Sequence, residues 1–303
     1  EDLAATAAER PEAAVDAIPA LAAYAESDDP VVRAAAFEAL GGLAEDAPHR
    51  STPAVDAAVT ALDDPVDDAV TGAARVVAGV AAERPDAVLG AVPRLATLLG
   101  ADCVPDGPLV RALDRVGATY PSAVLPAVDA LFDHAESPTA ESRAVALAAI
   151  GRAASAHPSA VESSVSRLTA LFDAGDPGVR AAAAGVLADV ADHRPEAVAP
   201  AAERVVSLVA DDDEAVRREA TSALAGVGRT APDRVRDAGA AGPLVDALDA
   251  EFACTRSNAA WLLGHVGARD ARDALAVRRR DDPETEVREA ASWALDRLEE
   301  SAG

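Results

Sequence analysis

Proline recurs along this chain at an almost constant interval. Successive members of the series lie 37 residues apart, with a single step of 36. The series is Pro11, Pro48, Pro85, Pro121, Pro158, Pro195 and Pro232. A repeat of this size is one supersecondary unit that cannot bury its apolar face alone, so neighbouring copies must stack. The interval therefore predicts a solenoid of repeated units.

Composition favours helices within each unit. Half of the 303 residues are hydrophobic, only 3% are aromatic, and most of the apolar residues are Ala, Val and Leu. Alanine is the best helix former, whereas strands are enriched in β-branched and aromatic residues. We therefore predict an all-α chain with a large core.

Short polar turns divide each unit into a first and a second helix. Aspartate can cap the free amides at a helix start, and proline suits the first turn. Such turns occur at Asp29-Pro30, Asp64-Pro65, Ser137-Pro138, Asp176-Pro177, Asp282-Pro283 and, without proline, at 211–213. We expect a second helix to begin at each of them. Internal prolines should kink four of the first helices, at Pro19, Pro93, Pro126 and Pro200.

An arginine sets a common register for the second helices. The arginines in this position are Arg33, Arg143, Arg180, Arg217, Arg256 and Arg288. The residues three, seven and ten positions later are small or aliphatic in every unit and fall on one helix face. They are Ala36, Leu40 and Leu43 in the first unit. We expect this face to form the core.

Paired helices, a proline-bent first helix and Asp-Pro-x-x-Arg at the start of the second resemble HEAT repeats over essentially the whole chain. The resemblance implies a right-handed superhelical α-solenoid of about eight two-helix repeats, forming a single domain over 1–303. The expected units are 11–47, 48–84, 85–120, 121–157, 158–194, 195–231, 232–267 and 268–303, with 1–10 as the tail of a truncated repeat. Repeats one to six resemble the adaptin or importin type, and the last two resemble the shorter phycobilisome-lyase type.

In HEAT repeats the register arginine typically pairs with a turn aspartate, which forms a ladder between units. The resemblance implies such a ladder here, with interruptions where Val70 and Asp106 occupy the arginine position. The second interruption adjoins an irregular loop at 100–108, which should shorten its second helix. We hypothesise a weak joint in repeats two and three.

The charge of the chain restricts its partners. The net charge is −25, from 52 acidic residues against 27 arginines and no lysine. It argues against general binding to nucleic acid or to an anionic membrane. An acidic surface with arginine in place of lysine resembles proteins of salt-loving archaea. No apolar run reaches the length of a membrane span and no stretch resembles a signal peptide, so we expect a cytoplasmic protein without membrane insertion.

No catalytic, cofactor or metal site is predicted. The two cysteines, Cys103 and Cys254, are too few and too distant for a metal cluster, and we expect both to be inert buried thiols. His49, His157 and His193 fall in turns. The His-Glu dipeptides of the di-iron HEAT hydroxylase are absent, as are phosphate-loop and nucleophile motifs.

The outer face of the second helices carries the candidate binding residues. The positions five and nine residues after the register arginine point away from the core. Their distinctive occupants are Trp261, His265, Trp293 and Arg297 near the C-terminus, and Arg75, Arg111, Arg115 and Arg152 nearer the N-terminus. The tryptophans lie one repeat apart, roughly 10 Å between helix axes, and could hold an apolar side chain or a flat group between their rings.

These residues favour a non-enzymatic scaffold that binds a protein or peptide along a concave groove. The competing structural interpretation is that the tryptophans cover the apolar end of the solenoid, where terminal repeats are often atypical. A second functional interpretation is a nucleic-acid-binding protein resembling the HEAT-like DNA glycosylases. Those enzymes would need an aspartate where this chain has His265 or Arg297. A regulatory subunit of an enzyme is a third interpretation.

The charge generates a first testable prediction. Like charges repel one another in the folded chain, and salt screens that repulsion. We expect the melting temperature to rise as KCl is increased from low to molar concentration, as measured by circular dichroism. A flat or falling profile would contradict the halophilic interpretation.

Overall fold

The computed structural model describes residues 15–101 and 104–300, and these residues form helices and turns without any strand. The expected all-α solenoid fold is confirmed, and its handedness stays a prediction. The repeat tail expected at 1–10 and Cys103 lie outside the described residues.

The chain divides into two compact units, Glu1–Ala156 and His157–Gly303. The α-helices of the first unit are α1 Ile18–Tyr24, α2 Pro30–Asp46, α3 Pro48–Ser51, α4 Val55–Ala61, α5 Asp67–Ala81, α6 Val92–Leu98, α7 Asp106–Thr119, α8 Val128–Glu136 and α9 Arg143–Ala156. Those of the second are α10 Val165–Ala170, α11 Pro177–His193, α12 Pro195–Val198, α13 Ala202–Leu208, α14 Glu214–Gly228, α15 Pro232–Asp237, α16 Ala241–Ala247, α17 Ala253–Val266, α18 Arg272–Asp281 and α19 Thr285–Glu300.

We call the helices that carry the arginine register the B helices. They are α2, α5, α7 and α9 in the first unit and α11, α14, α17 and α19 in the second. The remaining α-helices, together with adjoining 3₁₀ segments, form the A side of each repeat. The repeat boundaries and the single domain over 1–303 stay predictions.

Aspartate side chains cap three of the B helices as expected. Asp29 accepts a hydrogen bond from the amide of Val31 at 2.9 Å, and Asp176 accepts one from Gly178 at 2.8 Å. Asp213 accepts from the amide of Ala215 at 2.9 Å. These bonds satisfy amides that have no partner within the helix.

Three B helices begin later than their turns predict. At Asp64-Pro65 and Asp282-Pro283, the aspartate accepts from the amide two residues on, which makes a turn before the helix starts. The expectation for Ser137-Pro138 is wrong by five residues, since α9 begins only at Arg143. The reason lies at Ser142, whose φ of 62° is left-handed and cannot belong to an α-helix.

The A side bends by changing helix type. The chain forms a 3₁₀ helix at Pro85–Ala91, Pro121–Ala127 and Ala199–Ala201 before the α-helix that follows. Proline has no amide hydrogen and clashes with the carbonyl four residues before it, so an unbroken α-helix is disfavoured here. Pro126 and Pro200 lie within 3₁₀ segments, whereas Pro19 and Pro93 lie in the first turn of an α-helix.

The apolar face of the B helices forms the core in every repeat. The residues three, seven and ten positions after the register position are all buried, and the most exposed of them, Leu295, is 8% exposed. Close helix contact depends on small residues. A Cβ built on Gly79 of α5 would lie 2.4 Å from the carbonyl oxygen of Ala44 in α2, so only glycine fits this crossing.

Arginine forks connect successive repeats. Arg33 donates from Nε to Asp64 at 2.8 Å, and Arg180 donates from Nε and Nη2 to Asp211 at 2.8 and 2.7 Å. Arg256 binds the buried Asp282 in the same manner at 2.8 and 3.0 Å. Such two-point contacts are strong and fix geometry.

The third guanidinium nitrogen, Nη1, donates hydrogen bonds to backbone carbonyls in the turn of its own repeat. Nη1 of Arg180 donates to the carbonyls of Ala174 and Gly175, at 2.9 and 3.4 Å. The equivalent nitrogen of Arg288 binds the carbonyls of Asp282 and Pro283. One guanidinium thus satisfies carbonyls at its own turn and also carries the contact to the next repeat where an aspartate is present.

Two register arginines depart from this arrangement. Arg217 pairs with Glu214 of its own helix, because the residue 31 positions further on is Leu248 and not an aspartate. Glu214 also accepts a hydrogen bond from the amide of Phe252 at 3.2 Å, so the glutamate reaches the next repeat in the arginine's place. Arg143 donates from Nε to the carbonyl of Ala135 at 2.7 Å, within its own repeat.

At Asp106 the contact between repeats has its acidic and basic residues exchanged: the acid stands at the register position and a histidine of the next repeat faces it. We call this contact the reversed rung. Asp106 accepts from the amide of Gly100 at 2.9 Å and contacts Nδ1 of His134 at 3.1 Å. The buried His134 also contacts the carbonyl of Glu141 through Nε2 at 2.6 Å. A carbonyl and a carboxylate only accept, so both contacts are hydrogen bonds when the ring carries two protons. α7 begins at Asp106 itself. It has 14 residues, as α9 and α17 also do, so the expected shortening does not set it apart.

A second set of arginines, on the A side, pairs in the opposite direction. Arg94 lies 2.8 Å from Asp63 of the preceding turn, and Arg204 lies 2.9 Å from Asp173. Both pairs span 31 residues, as the Arg33–Asp64 and Arg180–Asp211 rungs do. Sequence analysis missed this set, which also bridges the gap left at Val70. The weak joint in repeats two and three stays a hypothesis.

The Arg180 rung generates a stability prediction. Arg180→Ala should lower the free energy of unfolding by about 1–3 kcal/mol, because it removes charged hydrogen bonds from a largely buried carboxylate. Glu203→Gln, at an exposed acid of the same unit, is the control and should change it by less than about 0.5 kcal/mol. Urea unfolding measures both variants. Equal losses would show that the fork does not hold adjacent repeats together.

Candidate partner-binding surface

Trp261 and Trp293 lie on the outer face of the last two B helices, α17 and α19. Each follows its register arginine by five residues, and His265 and Arg297 follow one turn later. Residues four apart lie on the same helix face. We call Trp261, His265, Trp293 and Arg297 the aromatic cluster.

The rings of the aromatic cluster lie against one another. The two indoles are stacked, with centroids 5.8 Å apart and planes at 14°. The ring of His265 lies 3.7 Å from Trp261 and 4.7 Å from Trp293, measured between centroids. The guanidinium of Arg297 lies 5.5 Å from the centre of the Trp293 ring, within the range of a cation–π contact.

Glycines on the preceding helices make room for the indoles. A Cβ built on Gly264 of α17 would lie 2.8 Å from Cζ3 of Trp293. One built on Gly228 of α14 would lie 3.4 Å from Cζ3 of Trp261. Each tryptophan therefore packs across the neighbouring B helix. The glycines are the signal in the sequence that could have predicted this packing.

The expected slot between the tryptophans is wrong. A flat group needs about 7 Å between two rings, because optimal carbon–carbon separations are about 3.5–4.0 Å. The stacked indoles are closer than that, since the glycines let both rings lie down along the helices. What the cluster offers is its outer surface, where Trp293 is 36% exposed and Trp261 is partly exposed.

The environment of His265 favours its neutral form. Burial lowers the pKa of the imidazole below its ordinary value of 6.5, and the positive charge of Arg297 lowers it further. Since a neutral imidazole has one donor and one acceptor nitrogen, the cluster offers one of each beside the indoles.

The arginines predicted in the first unit differ in their surroundings. Arg75 forms a two-point ion pair with Glu45, at 3.2 Å for both contacts. Arg115 donates from Nη1 to the carbonyl of Ala78 near the end of α5, and Arg152 pairs with Asp114 at 2.9 Å. Arg111 makes no hydrogen bond or ion pair with the residues that the structure describes, and its Nη1 lies near Gly107 of its own helix.

A further exposed aromatic was missed by sequence analysis. Phe252, at the start of α17, is 38% exposed, and the guanidinium of Arg218 lies 5.2 Å from the centre of its ring. The pair belongs to the second unit, as the aromatic cluster does. Phe252 follows the irregular turn after α16, where the register gives no position for it.

The structure corrects one expectation about the cysteines. Cys254 is exposed at the first turn of α17, whereas burial was predicted, because the turn before α17 places this residue on the solvent side. No group of three His, Cys, Asp or Glu side chains suitable for a metal ion occurs in 15–101 or 104–300. Among the same residues, no helix has the length and apolar character needed to cross a bilayer.

Family models match the chain in two places. One described as HEAT repeats matches 202–296, and one described as a HEAT repeat matches 17–47. The chain contains HEAT repeats. HEAT repeats form helical-repeat scaffolds that typically mediate protein interactions and are typically non-catalytic. The finer repeat types and the halophilic origin stay predictions.

One solved structure supports the fold. The chain is similar to the crystal structure of an engineered protein, with a TM-score of 0.79 and 24% identity over 93% of this chain and 78% of that one. A second engineered protein is 24% identical over 81% of this chain and 96% of that one, with a TM-score of 0.46. A comparison with curated proteins finds no match.

The histidine of the aromatic cluster generates a pH prediction. Because folding lowers the pKa of His265, the unfolded chain binds the proton more tightly. The stability that the neutral ring contributes is therefore present above pH 6.5 and is lost as the pH falls toward the folded pKa. We expect an NMR titration to give His265 a pKa below 6.5, and Arg297→Gln to raise it. The His265→Gln spectrum assigns the signal, and an unchanged pKa in Arg297→Gln would exclude the arginine as a cause.

Proposed function

We propose that the chain is a non-enzymatic scaffold that holds a protein or peptide on the outer faces of its B helices. In HEAT repeats these faces line a concave groove. The protein would act in the cytoplasm. The observation that carries the proposal is the partial exposure of stacked indoles beside His265 and Arg297.

The chemistry of the aromatic cluster supports binding. Tryptophan and arginine are enriched among the interface residues that contribute most to affinity. The cluster combines a wide apolar surface with polar groups at its edge, and stacking leaves the rings little freedom to lose on binding. A partner side chain would bury indole area that the free protein leaves in water.

The end-cap interpretation makes a different demand on the same residues. A cap must exclude water from the core, and Leu298 and Leu295 at the last helix are already buried or nearly so. The indoles lie on the opposite side of the B helices, where Trp293 packs from α19 back toward Gly264 of α17 and Trp261 packs toward Gly228 of α14. This placement favours a binding surface.

A nucleic-acid function has less support. The position one turn after each tryptophan is His265 or Arg297, where a glycosylase-like site would need an aspartate. A net charge of −25 also opposes association with a polyanion. A regulatory subunit is compatible with the proposed scaffold, because binding a partner enzyme uses the same surface.

The proposed function predicts a specific loss of affinity. The partner is first isolated from an extract of the source organism at its working salt concentration, identified by mass spectrometry and purified. Calorimetry then compares dissociation constants. Trp293→Ala should weaken binding at least about 30-fold, which corresponds to about 2 kcal/mol for one dominant interface residue.

Val277→Ala is the matched control for this experiment. Val277 is 39% exposed, close to the 36% of Trp293, but lies on the A side of the same repeat. We expect its effect to stay below about twofold. If Trp293→Ala lowers the melting temperature and affinity only in proportion, the end-cap interpretation holds. If affinity is unchanged, the aromatic cluster is not the binding surface.

A further inference from the structure

The first unit contains a pocket in which positive charge is concentrated. Its volume is about 400 Å³, and its walls come from α2, α5 and α7. Arg75, Arg111 and Arg115 line it together with a single acid, Glu45. The whole chain has 52 acidic residues against 27 arginines, whereas this pocket has three arginines against one acid. We call it the arginine pocket.

Internal contacts hold two of the three arginines of this pocket. Arg75 is held by Glu45, and Arg115 is held against the carbonyl of Ala78. Arg111 makes no hydrogen bond or ion pair within 15–101 or 104–300. A guanidinium has five donors in a fixed fork that matches a carboxylate. The pocket thus presents at least one charged fork that has no acceptor among the residues that the structure describes.

A hollow with an apolar side adjoins the arginine pocket. It has a volume of about 590 Å³ between α2 and α5, and Arg75 lines both spaces. Val31, Ala34, Ala35 and Val66 form its apolar side, and Val31 is 74% exposed. Its polar side is formed by Glu38, Asp68, Thr71 and Arg75. An exposed valine beside a hollow of small residues gives apolar area for a partner side chain to cover.

We propose that this surface binds an acidic peptide segment of the partner, with a carboxylate side chain on Arg111 and an apolar side chain in the hollow. The inference rests on the proposed function, and it uses a surface in the first unit that is independent of the aromatic cluster. Charge complementarity selects the acid, and the adjoining hollow selects a peptide over a simple anion. A long polyanion is disfavoured by the net charge of the protein.

The helix geometry fixes the spacing of the two side chains. Ala34 in the hollow and Ala44 in the arginine pocket are ten residues apart on α2. At 1.5 Å per residue, this is about 15 Å along the helix. An extended peptide covers that distance in about four or five residues. The expected pattern is therefore an apolar residue and an acidic residue about four or five positions apart.

A double-mutant cycle with defined peptides tests this inference. The probe is a fluorescein-labelled nine-residue peptide of serine and glycine, with a leucine and, four positions later, a glutamate. Its partner peptide has glutamine in place of the glutamate. Anisotropy titrations at fixed salt compare both peptides on the unaltered protein, on Arg111→Gln and on the control Arg50→Gln. Arg50 is exposed and pairs with Asp16 on the A side.

The expected result is a coupled loss. Replacing glutamate by glutamine should weaken binding at least tenfold on the unaltered protein and on Arg50→Gln, but less than twofold on Arg111→Gln. Replacing the leucine by serine should weaken binding to all three proteins. Thermal unfolding of Arg111→Gln should match that of the unaltered protein, since the arginine has no hydrogen-bond or ion-pair partner in the described part of the chain.

Three outcomes would overturn the inference. Equal sensitivity to glutamate on the Arg111→Gln variant would show that the carboxylate lies elsewhere. Displacement of the peptide by millimolar inorganic phosphate, without any effect of the leucine, would show a simple anion site. Absence of measurable peptide binding, with the purified partner still bound through Trp293, would refute the arginine pocket and leave the scaffold proposal intact.

Discussion

The fork of a register arginine is the interaction on which the repeat stack depends. A turn between helices exposes carbonyls on one side and must meet the next repeat on the other. The guanidinium of Arg180 does both, because it has donors pointing in two directions. The aspartate it reaches also shapes the turn of its own repeat, since Asp211 accepts from the amide of Asp213 at 3.0 Å. The hydrogen bond from Arg180 keeps the pKa of Asp211 below the ordinary 3.8, so its contribution to stability is present above that pH and is lost in stronger acid.

The opposing pairs on the A side complete the joint between repeats. Asp63 and Asp64 are neighbours in sequence, yet Asp64 is bound by Arg33 of the preceding repeat and Asp63 by Arg94 of the following one. The Asp63 pair is exposed and contributes little by itself, whereas Asp64 is almost buried. The Asp63-Asp64 dipeptide therefore orients its repeat against both the preceding and the following repeat. Most of the stabilisation comes from the carboxylate of Asp64.

Most of the fold could be predicted from the periodicity of the sequence. Most of what sequence analysis missed depends on the shapes of side chains that meet in space. The core positions three, seven and ten residues after the register position were predicted in every B helix, because helical geometry converts an offset into a direction. The start of α9 did not follow, since the backbone of Ser142 turns left-handed without a proline or glycine to announce it. The aromatic cluster was placed on the correct face, but the collapse of its rings depended on Gly228 and Gly264 in other helices. A contact between repeats depends on residues of two helices, whereas the offset from a register arginine describes the residues of only one helix.

Because of the reversed rung, the end of the third repeat at Asp106 is complementary to the fourth repeat, which supplies His134. At the Arg33–Asp64, Arg180–Asp211 and Arg256–Asp282 contacts, a guanidinium of one repeat faces a carboxylate of the next. If the third repeat were followed by the sixth, the carboxylate of Asp106 would face the turn that contains Asp211, and two like charges would meet. The side chains at the ends of these repeats therefore restrict the order in which the repeats can follow one another. Modular shuffling of the array would be limited to the repeats that share the common polarity.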